Sequence, residues 1–365
     1  LFIKIMKKKH FLFLVLFLLP SFVEAQTENL IVVTIDGFRW QEIFNGMDKE
    51  IALNKKFERG DSAKIFSKFW DENPEKRRSL LMPFLWNTIS KQGQIYGNRN
   101  LGNKVSVSNP YWFSYPGYSE IFCGFVDTQI NTNDYKPNPN QTVFDFFSKQ
   151  NKINTQIAVF GAWEAFDRIF NEKRAKFPVF CGNESYNFAP TDIDIQLLNA
   201  MKKNSFKPFG EEEYLDQYTF YGGLSYMKKK HPKIIYISLG ETDEFAHQGA
   251  YWWYLRSAHQ ADQWLADLWA FVQSDDQYKN KTVLFFTVDH GRGNGEEWTS
   301  HNSSIRNSNE MWFAVLGNGI KPKGEIKSEG IIYQKQFAAT WASLLGFDYF
   351  NPEKKVGQII ESVVK

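Results

Sequence analysis

Six histidines are spread over the 365-residue sequence, and three of them stand in segments that also carry carboxylates. Asp243 and His247 are four apart in ETDEFAHQG, so one helical turn brings both to the same side. Asp289 and His290 are adjacent near the end of the apolar run KTVLFFTVDHG, and His301 follows in EEWTSHN. Asp36 closes another apolar run, NLIVVTIDG. Imidazole and carboxylate together suit zinc, with manganese or iron as substitutes. Taken singly, an aspartate at a strand end is more often a cap or turn former, and a lone Asp-x-x-x-His pair is weak. As a set they read as a metal cluster. His10, His231 and His259 lack such company and are assigned to structure.

The stretch SNPYWFSYPGYSEIFCG crowds aromatics, prolines and glycine around one serine, Ser114. Pro116 and Gly117 predict a sharp turn from extended chain into a helix that begins near Tyr118, with its first N–H groups open to an anion.

Elements that position these groups are legible in the apolar pattern. The runs at 29–37, 155–161, 233–240 and 281–291 are short, rich in β-branched and aromatic residues, and end in glycine, as buried parallel strands do. Helix patterns fall at 80–92, 141–150, 192–203, 211–229, 251–273 and 334–345. This alternation predicts an α/β three-layer sandwich, a mostly parallel central sheet flanked by helices on both faces. Open sheets of this kind bind ligands at the carboxyl ends of their strands, where Asp36, Asp243 and Asp289 fall. The segments 48–79 and 172–210 read as surface excursions. No internal repeat or low-complexity tract is present.

Residues 1–25 read as a secretory signal peptide: Lys4, Lys7, Lys8 and Lys9, an apolar run from Phe11 to Leu19, Pro20, and Val23-Glu24-Ala25 as cleavage site. Export to a periplasm or beyond is the expectation, with no transmembrane anchor and one catalytic domain over 26–365. The sequence holds 43 Lys and Arg against 41 Asp and Glu, and four of those lysines and one glutamate lie in the leader. A near-neutral remainder speaks against a nucleic-acid polymer as partner, because no excess of cations is left to neutralise phosphates. Cys123 and Cys181 are the only thiols, and whether they pair is left open by the sequence.

The ordered motifs TIDGFRW, FSYPGYSEIFCG, ETDEFAHQG, TVDHGRG and WTSHN resemble the alkaline phosphatase superfamily, in particular its nucleotide pyrophosphatase/phosphodiesterase branch and related secreted bacterial phosphatases. The likeness runs from about residue 29 to about residue 346. It implies two zinc ions, one held by Asp243, His247 and His301, the other by Asp36, Asp289, His290 and the Ser114 oxygen. It further implies hydrolysis of a small phosphate ester, monoester or diester, through a phosphoseryl intermediate on Ser114.

Three departures accompany the likeness. Gly117 stands where the resemblance leads one to expect Asn, Asn302 follows His301 in place of glycine, and the segment FGAWEAFDR offers Trp163 and Arg168 where some monoesterases carry Lys and Arg. The start of a sulfatase modification motif is mimicked at Ser114-Tyr115-Pro116, but Tyr118 occupies the position of its arginine, and that reading is rejected. A phosphotransferase moving phosphoethanolamine or phosphoglycerol is an alternative. So is a catalytically silent metal- or carbohydrate-binding protein, given the 17% aromatic content.

Overall fold

The computed structural model describes residues 27–365, so the signal peptide read at 1–25 lies outside the described residues. Four strands form the middle of an eight-stranded sheet: β1 (Asn29–Ile35), β4 (Ile157–Gly161), β6 (Ile234–Leu239) and β7 (Thr282–Thr287). All their residues are buried, which is why each reads as an unbroken apolar run with no alternation. β1 pairs in parallel with β6 on one side and β7 on the other, and β6 continues in parallel to β4. Beyond β4 lies β5 (Val179–Cys181), also parallel.

The opposite side of the sheet departs from the parallel pattern. β9 (Phe313–Gly317) runs antiparallel to β7 and to β2 (Gly93–Tyr96), and β10 (Gly324–Glu325) closes the edge, giving the order β10-β2-β9-β7-β1-β6-β4-β5. A second sheet of three strands holds β3 (Asn103–Ser106) between β11 (Gly330–Tyr333) and β8 (Glu310–Met311). The sheet is therefore mostly parallel, with helices flanking it.

Several helices match the sequence pattern, among them Val143–Ser148, Ile193–Lys203, Asp216–Lys230, Tyr251–Ser274 and Phe337–Leu344. The pattern at 80–92 becomes a π-turn over Leu85–Ile89 running into Ser90–Gln92. Its start is fixed from outside, because the Asp262 carboxylate accepts the Phe84 N–H at 2.6 Å and the Leu85 N–H at 2.9 Å.

The segment 48–79 differs from the irregular excursion its charges suggest. It folds into four short helices, Lys49–Leu53, Lys55–Glu58, Ser62–Phe69 and Pro74–Leu81, started by Asp48, Asn54 and Asn73 where those side chains accept N–H bonds. Ile51, Phe57, Ile65 and Phe69 face inward and join the core. In 172–210, β5 and the helix Ile193–Lys203 interrupt the loop. Cys123 and Cys181 are both buried and both free, so no bridge ties the helix of Ser114 to β5. No helix among the described residues is long and apolar enough to cross a membrane.

Candidate functional site

Register sets the site. Ile35 pairs with Leu239 and Thr34 with Thr287, so β1, β6 and β7 finish level with one another. Asp36, the helix Glu241–His247 and Asp289-His290 follow those ends at once. Seven side chains singled out in the sequence come together there: Asp36, Ser114, Asp243, His247, Asp289, His290 and His301. His290 Nε2 lies 3.3 Å from Asp36 Oδ1, 3.3 Å from Asp289 Oδ2 and 3.2 Å from Ser114 Oγ. His247 Nε2 lies 3.0 Å from Asp243 Oδ2 and 2.9 Å from His301 Nε2, and His301 Nε2 is 3.6 Å from Asp243 Oδ1. The two groups abut, since the His290 and His301 rings stack with centroids 4.0 Å apart.

The three remaining described or sequence-assigned histidines are elsewhere. His231 meets Asp275 at 3.0 Å, His259 Nδ1 lies 2.8 Å from the Leu81 carbonyl, and His10 is outside the described residues.

Electrostatics at the cluster are set by burial and by the neighbouring carboxylates. Burial, then the neighbouring Asp243 charge, pushes the Asp36 carboxyl up. Burial and the Asp36 charge push Asp289 well above the usual carboxylate range. Burial lowers the His290 pKa, but Asp289 and Asp36 outweigh it and raise the imidazole to about 9. His301, buried and facing His290, is lowered to about 3. Asp243 is the exception: burial opposes its ionisation, yet Arg292, His247 and His301 hold its carboxyl well below the usual range.

The donor set fits divalent metal. Asp36 Oδ1, Asp289 Oδ2 and His301 Nδ1 are buried without a hydrogen-bond partner among the described residues, an arrangement that costs stability unless something else satisfies them. Asp36, Asp289 and His290 each bring a ligand atom within 4.8 Å of the others, and so do Asp243, His290 and His301.

The serine sits differently from the turn that the sequence suggested. The helix begins at Ser114 itself and runs Ser114–Cys123, so Pro116 falls in the first turn, where a missing N–H costs nothing. The turn lies upstream: Asn109 Oδ1 accepts the Tyr111 and Trp112 N–H groups, and Trp112 is held at φ 58°. Of the N–H groups expected to face an anion, that of Tyr115 donates to Asn133 Oδ1 and that of Gly117 to the Phe113 carbonyl, which leaves the Ser114 N–H.

Gly117 has a packing reason. A Cβ there would stand 2.8 Å from the Asp289 carbonyl oxygen, so the helix can lie on the Asp289 backbone only without a side chain at 117. An amide is nevertheless present from another direction. Asn133 lines the same 210 Å³ cavity as Ser114, and with Oδ1 taken by Tyr115 its Nδ2 has no partner among the described residues.

Arg168, which the sequence offered in FGAWEAFDR, also reaches this cavity. It is anchored by Nη1 to the Asn133 and Tyr135 carbonyls at 3.1 and 2.9 Å. Trp163, Asp134, Glu212, Glu213 and Glu244 complete the wall. Sequence reasoning missed Asn133, which looks like one more polar residue in NTNDYKPNPN, and it missed Arg292. The latter stood in TVDHGRG, two residues past His290, which was the available signal.

No protein-family model matches the chain, and no curated protein matches it in sequence. Solved structures do match in fold. The alkaline phosphatase PafA superposes with TM-score 0.62 at 9% identity, covering 93% of this chain and 99% of that one. BT1596, a 2-O GAG sulfatase, gives 0.58 at 12% identity over 93% and 74% of the two chains. The lipoteichoic acid synthase LtaP from Listeria monocytogenes gives 0.56 at 13% identity over 93% and 76%. The chain therefore has an alkaline phosphatase-like fold, a mixed α/β architecture that it shares with a solved phosphatase, sulfatases and a synthase.

Proposed function

We propose that this chain is an exported two-metal hydrolase of phosphoric esters that acts through Ser114. The observation that carries the reading is the position of Ser114 Oγ. It is the first residue of a ten-residue helix, 6% exposed, 3.2 Å from His290 Nε2 and inside one cavity with Asp36, Asp243, His247 and His301. Asp36, Asp289, His290 and Ser114 would hold one metal, and Asp243, His247 and His301 the other. When bound, the metals supply Lewis-acid stabilisation at the attacking and leaving oxygens.

The chain's own residues supply orientation. The helix start orients Ser114 Oγ; the hydroxyl gives up its proton to solvent as a bond forms from Oγ to phosphorus, the ester oxygen departs with the bonding pair and is protonated by solvent, and water later hydrolyses the phosphoseryl group. The Ser114 N–H and Asn133 Nδ2 are donors at the cavity without a partner among the described residues, which supports a role in holding a non-bridging phosphoryl oxygen. Zinc is the metal that the mixed imidazole and carboxylate donors favour.

Beyond the phosphoryl group, the wall sets Asp134 and Glu212, together with Glu213 and Glu244 whose carboxyls burial raises, against Arg168. That balance supports a neutral or cationic leaving group and disfavours a polyphosphate one. Tyr118, which stands where the sulfatase motif needs arginine, is committed to Asp36, and this supports phosphate over sulfate as substrate. The fold likeness to LtaP favours one second reading, transfer of the phosphoryl group to an alcohol acceptor.

Hydrolysis of p-nitrophenyl phosphate, bis-p-nitrophenyl phosphate and p-nitrophenyl sulfate, with Zn2+ added, separates these readings. A phosphate ester is the expected substrate, and Ser114→Ala is expected to lose most of the rate. Preference for the sulfate would overturn the reading, and appearance of a glycerol or ethanolamine adduct would move it to the transferase.

A further inference from the structure

Each of the three metal-facing carboxylates has one oxygen held by a dedicated protein donor. Asp36 Oδ2 accepts the Tyr118 hydroxyl at 3.0 Å, and its Oδ1 faces the candidate ligand His290 Nε2 at 3.3 Å. Asp289 Oδ1 accepts the Gly37 N–H at 3.2 Å, and its Oδ2 likewise faces His290 Nε2 at 3.3 Å. Asp243 Oδ1 is held by Arg292 Nη1, while its Oδ2 faces His247 Nε2 at 3.0 Å. The pattern leaves each carboxylate one oxygen for a metal. The holders are unlike, however: two are neutral and the third is a full cation.

Arg292 cannot turn away from this duty. Its side chain is fully buried, Nε donates to the Trp298 carbonyl at 2.8 Å and Nη2 to the Thr299 carbonyl at 2.7 Å. Gly37 leaves room for the pair, because a Cβ there would stand 2.5 Å from Asp243 Oδ1 and 2.9 Å from Arg292 Nη1. The group Asp36, Asp289 and His290 thus offers two carboxylates whose holders carry no charge. The group Asp243, His247 and His301 offers one carboxylate whose charge Arg292 already balances.

We propose that Arg292 makes the two metal positions unequal, so that the Asp36/Asp289/His290 position fills first and tightly, and the Asp243/His247/His301 position fills last and exchanges readily. Arg292 is in this sense a positioning residue that also sets the charge of the second position. A fixed cation beside a divalent ion repels it across a poorly screened gap, and the penalty falls on the nearer position. The inference rests on the two-metal reading above.

The test is calorimetric titration of Zn2+ into protein stripped by chelator and then dialysed free of it. Two resolved steps are expected, the second weaker by about tenfold or more. Asp243→Asn should abolish the weaker step and keep the tighter one, and Asp289→Asn should do the reverse. Arg292→Gln should tighten the weaker step toward the first, whereas Arg292→Lys, which keeps the charge and loses the fork, should leave the gap open. Two equal steps in the parent protein, or loss of the tighter step in Asp243→Asn, would overturn the proposal even if Arg292→Gln failed to fold. Absence of any Zn2+ binding would instead sink the two-metal reading itself, so the two failures are distinguishable.

Discussion

Glu120 controls how Ser114 is presented, although it touches no candidate ligand. It lies in the helix Ser114–Cys123, 1% exposed, and its carboxylate collects the Ser108 N–H at 3.1 Å, the Asn109 N–H at 2.8 Å, the Asn109 side-chain amide at 2.9 Å and the Gln334 amide at 3.1 Å. The Ser108 hydroxyl also donates to it. These bonds tie the turn that precedes the serine, including the left-handed Trp112, to the helix that follows it.

Glu120→Ala strips the acceptor from every one of those donors. Side-chain donors can rotate toward others, but the two backbone N–H groups cannot, and an unsatisfied buried donor costs roughly 1–3 kcal/mol. The expected loss is therefore about 4 kcal/mol, read as a fall in the urea midpoint of the metal-stripped protein at unchanged slope. Glu120→Gln, which keeps one acceptor oxygen, should lose about half as much. Because the turn sets where Oγ points, kcat should fall about tenfold for Glu120→Gln with little change in KM. A loss below about 1 kcal/mol in Glu120→Ala, with kcat intact, would refute the idea that this carboxylate organises the serine.

Asn302 sits at φ 134°, a region that glycine adopts freely and other residues do not, directly after His301. Asn302→Ala should destabilise the fold by about 2 kcal/mol relative to Asn302→Gly in thermal unfolding, and equal stability of the two would show that the backbone is not strained there. Burial raises the Asp262 carboxyl from 3.8 to about 7, against the pull of the Phe84 and Leu85 N–H groups. The folded chain thus keeps that proton longer than the unfolded chain, and stability should fall as pH rises through roughly 4 to 7. Asp262→Asn should flatten that decline in urea midpoints, and an unchanged slope would show that Asp262 is ionised throughout. From the acidic cavity wall, kcat/KM for a choline phosphate ester should exceed that for a nucleoside triphosphate by about tenfold or more, and the reverse order in a phosphate-release assay would contradict the leaving-group reading.

What the sequence made legible follows from burial. β1, β4, β6 and β7 are covered on both faces, so each appears as a run of apolar residues, and three of them end where acids stand. Since parallel strands all have their carboxyl ends at one edge of the sheet, those ends predict convergence before any contact is seen. The antiparallel side was not legible. β2 reads GQIY and β9 reads FAVLG, runs of four and five residues that carry no period able to separate strand from helix. The helices of 48–79 are four to eight residues long, so their charged outer faces dominate the composition and hide the inward Ile51, Phe57, Ile65 and Phe69.

At the site, residues on the strand ends could be named because strand direction alone brings them together. Asn133 could not, because loop packing decides that it reaches the cavity of Ser114, and Arg168 was named only through the segment FGAWEAFDR. The Gly117 departure likewise acquires a cause only with the Asp289 backbone lying against it. The helix start was misplaced by four residues because proline in a first turn and proline before a helix look alike in sequence.

The claim that Ser114 carries the phosphoryl group is tested most directly by trapping it. Zn2+-loaded protein is mixed with p-nitrophenyl phosphate, quenched in acid within the first turnovers, digested, and its peptides weighed by mass spectrometry. Phosphate on the peptide containing Ser114, absent from Ser114→Ala, is the expected result. An unmodified Ser114 peptide, together with an alanine variant that hydrolyses the ester at near the parent rate, would mean that water attacks phosphorus directly and that Ser114 is not the nucleophile.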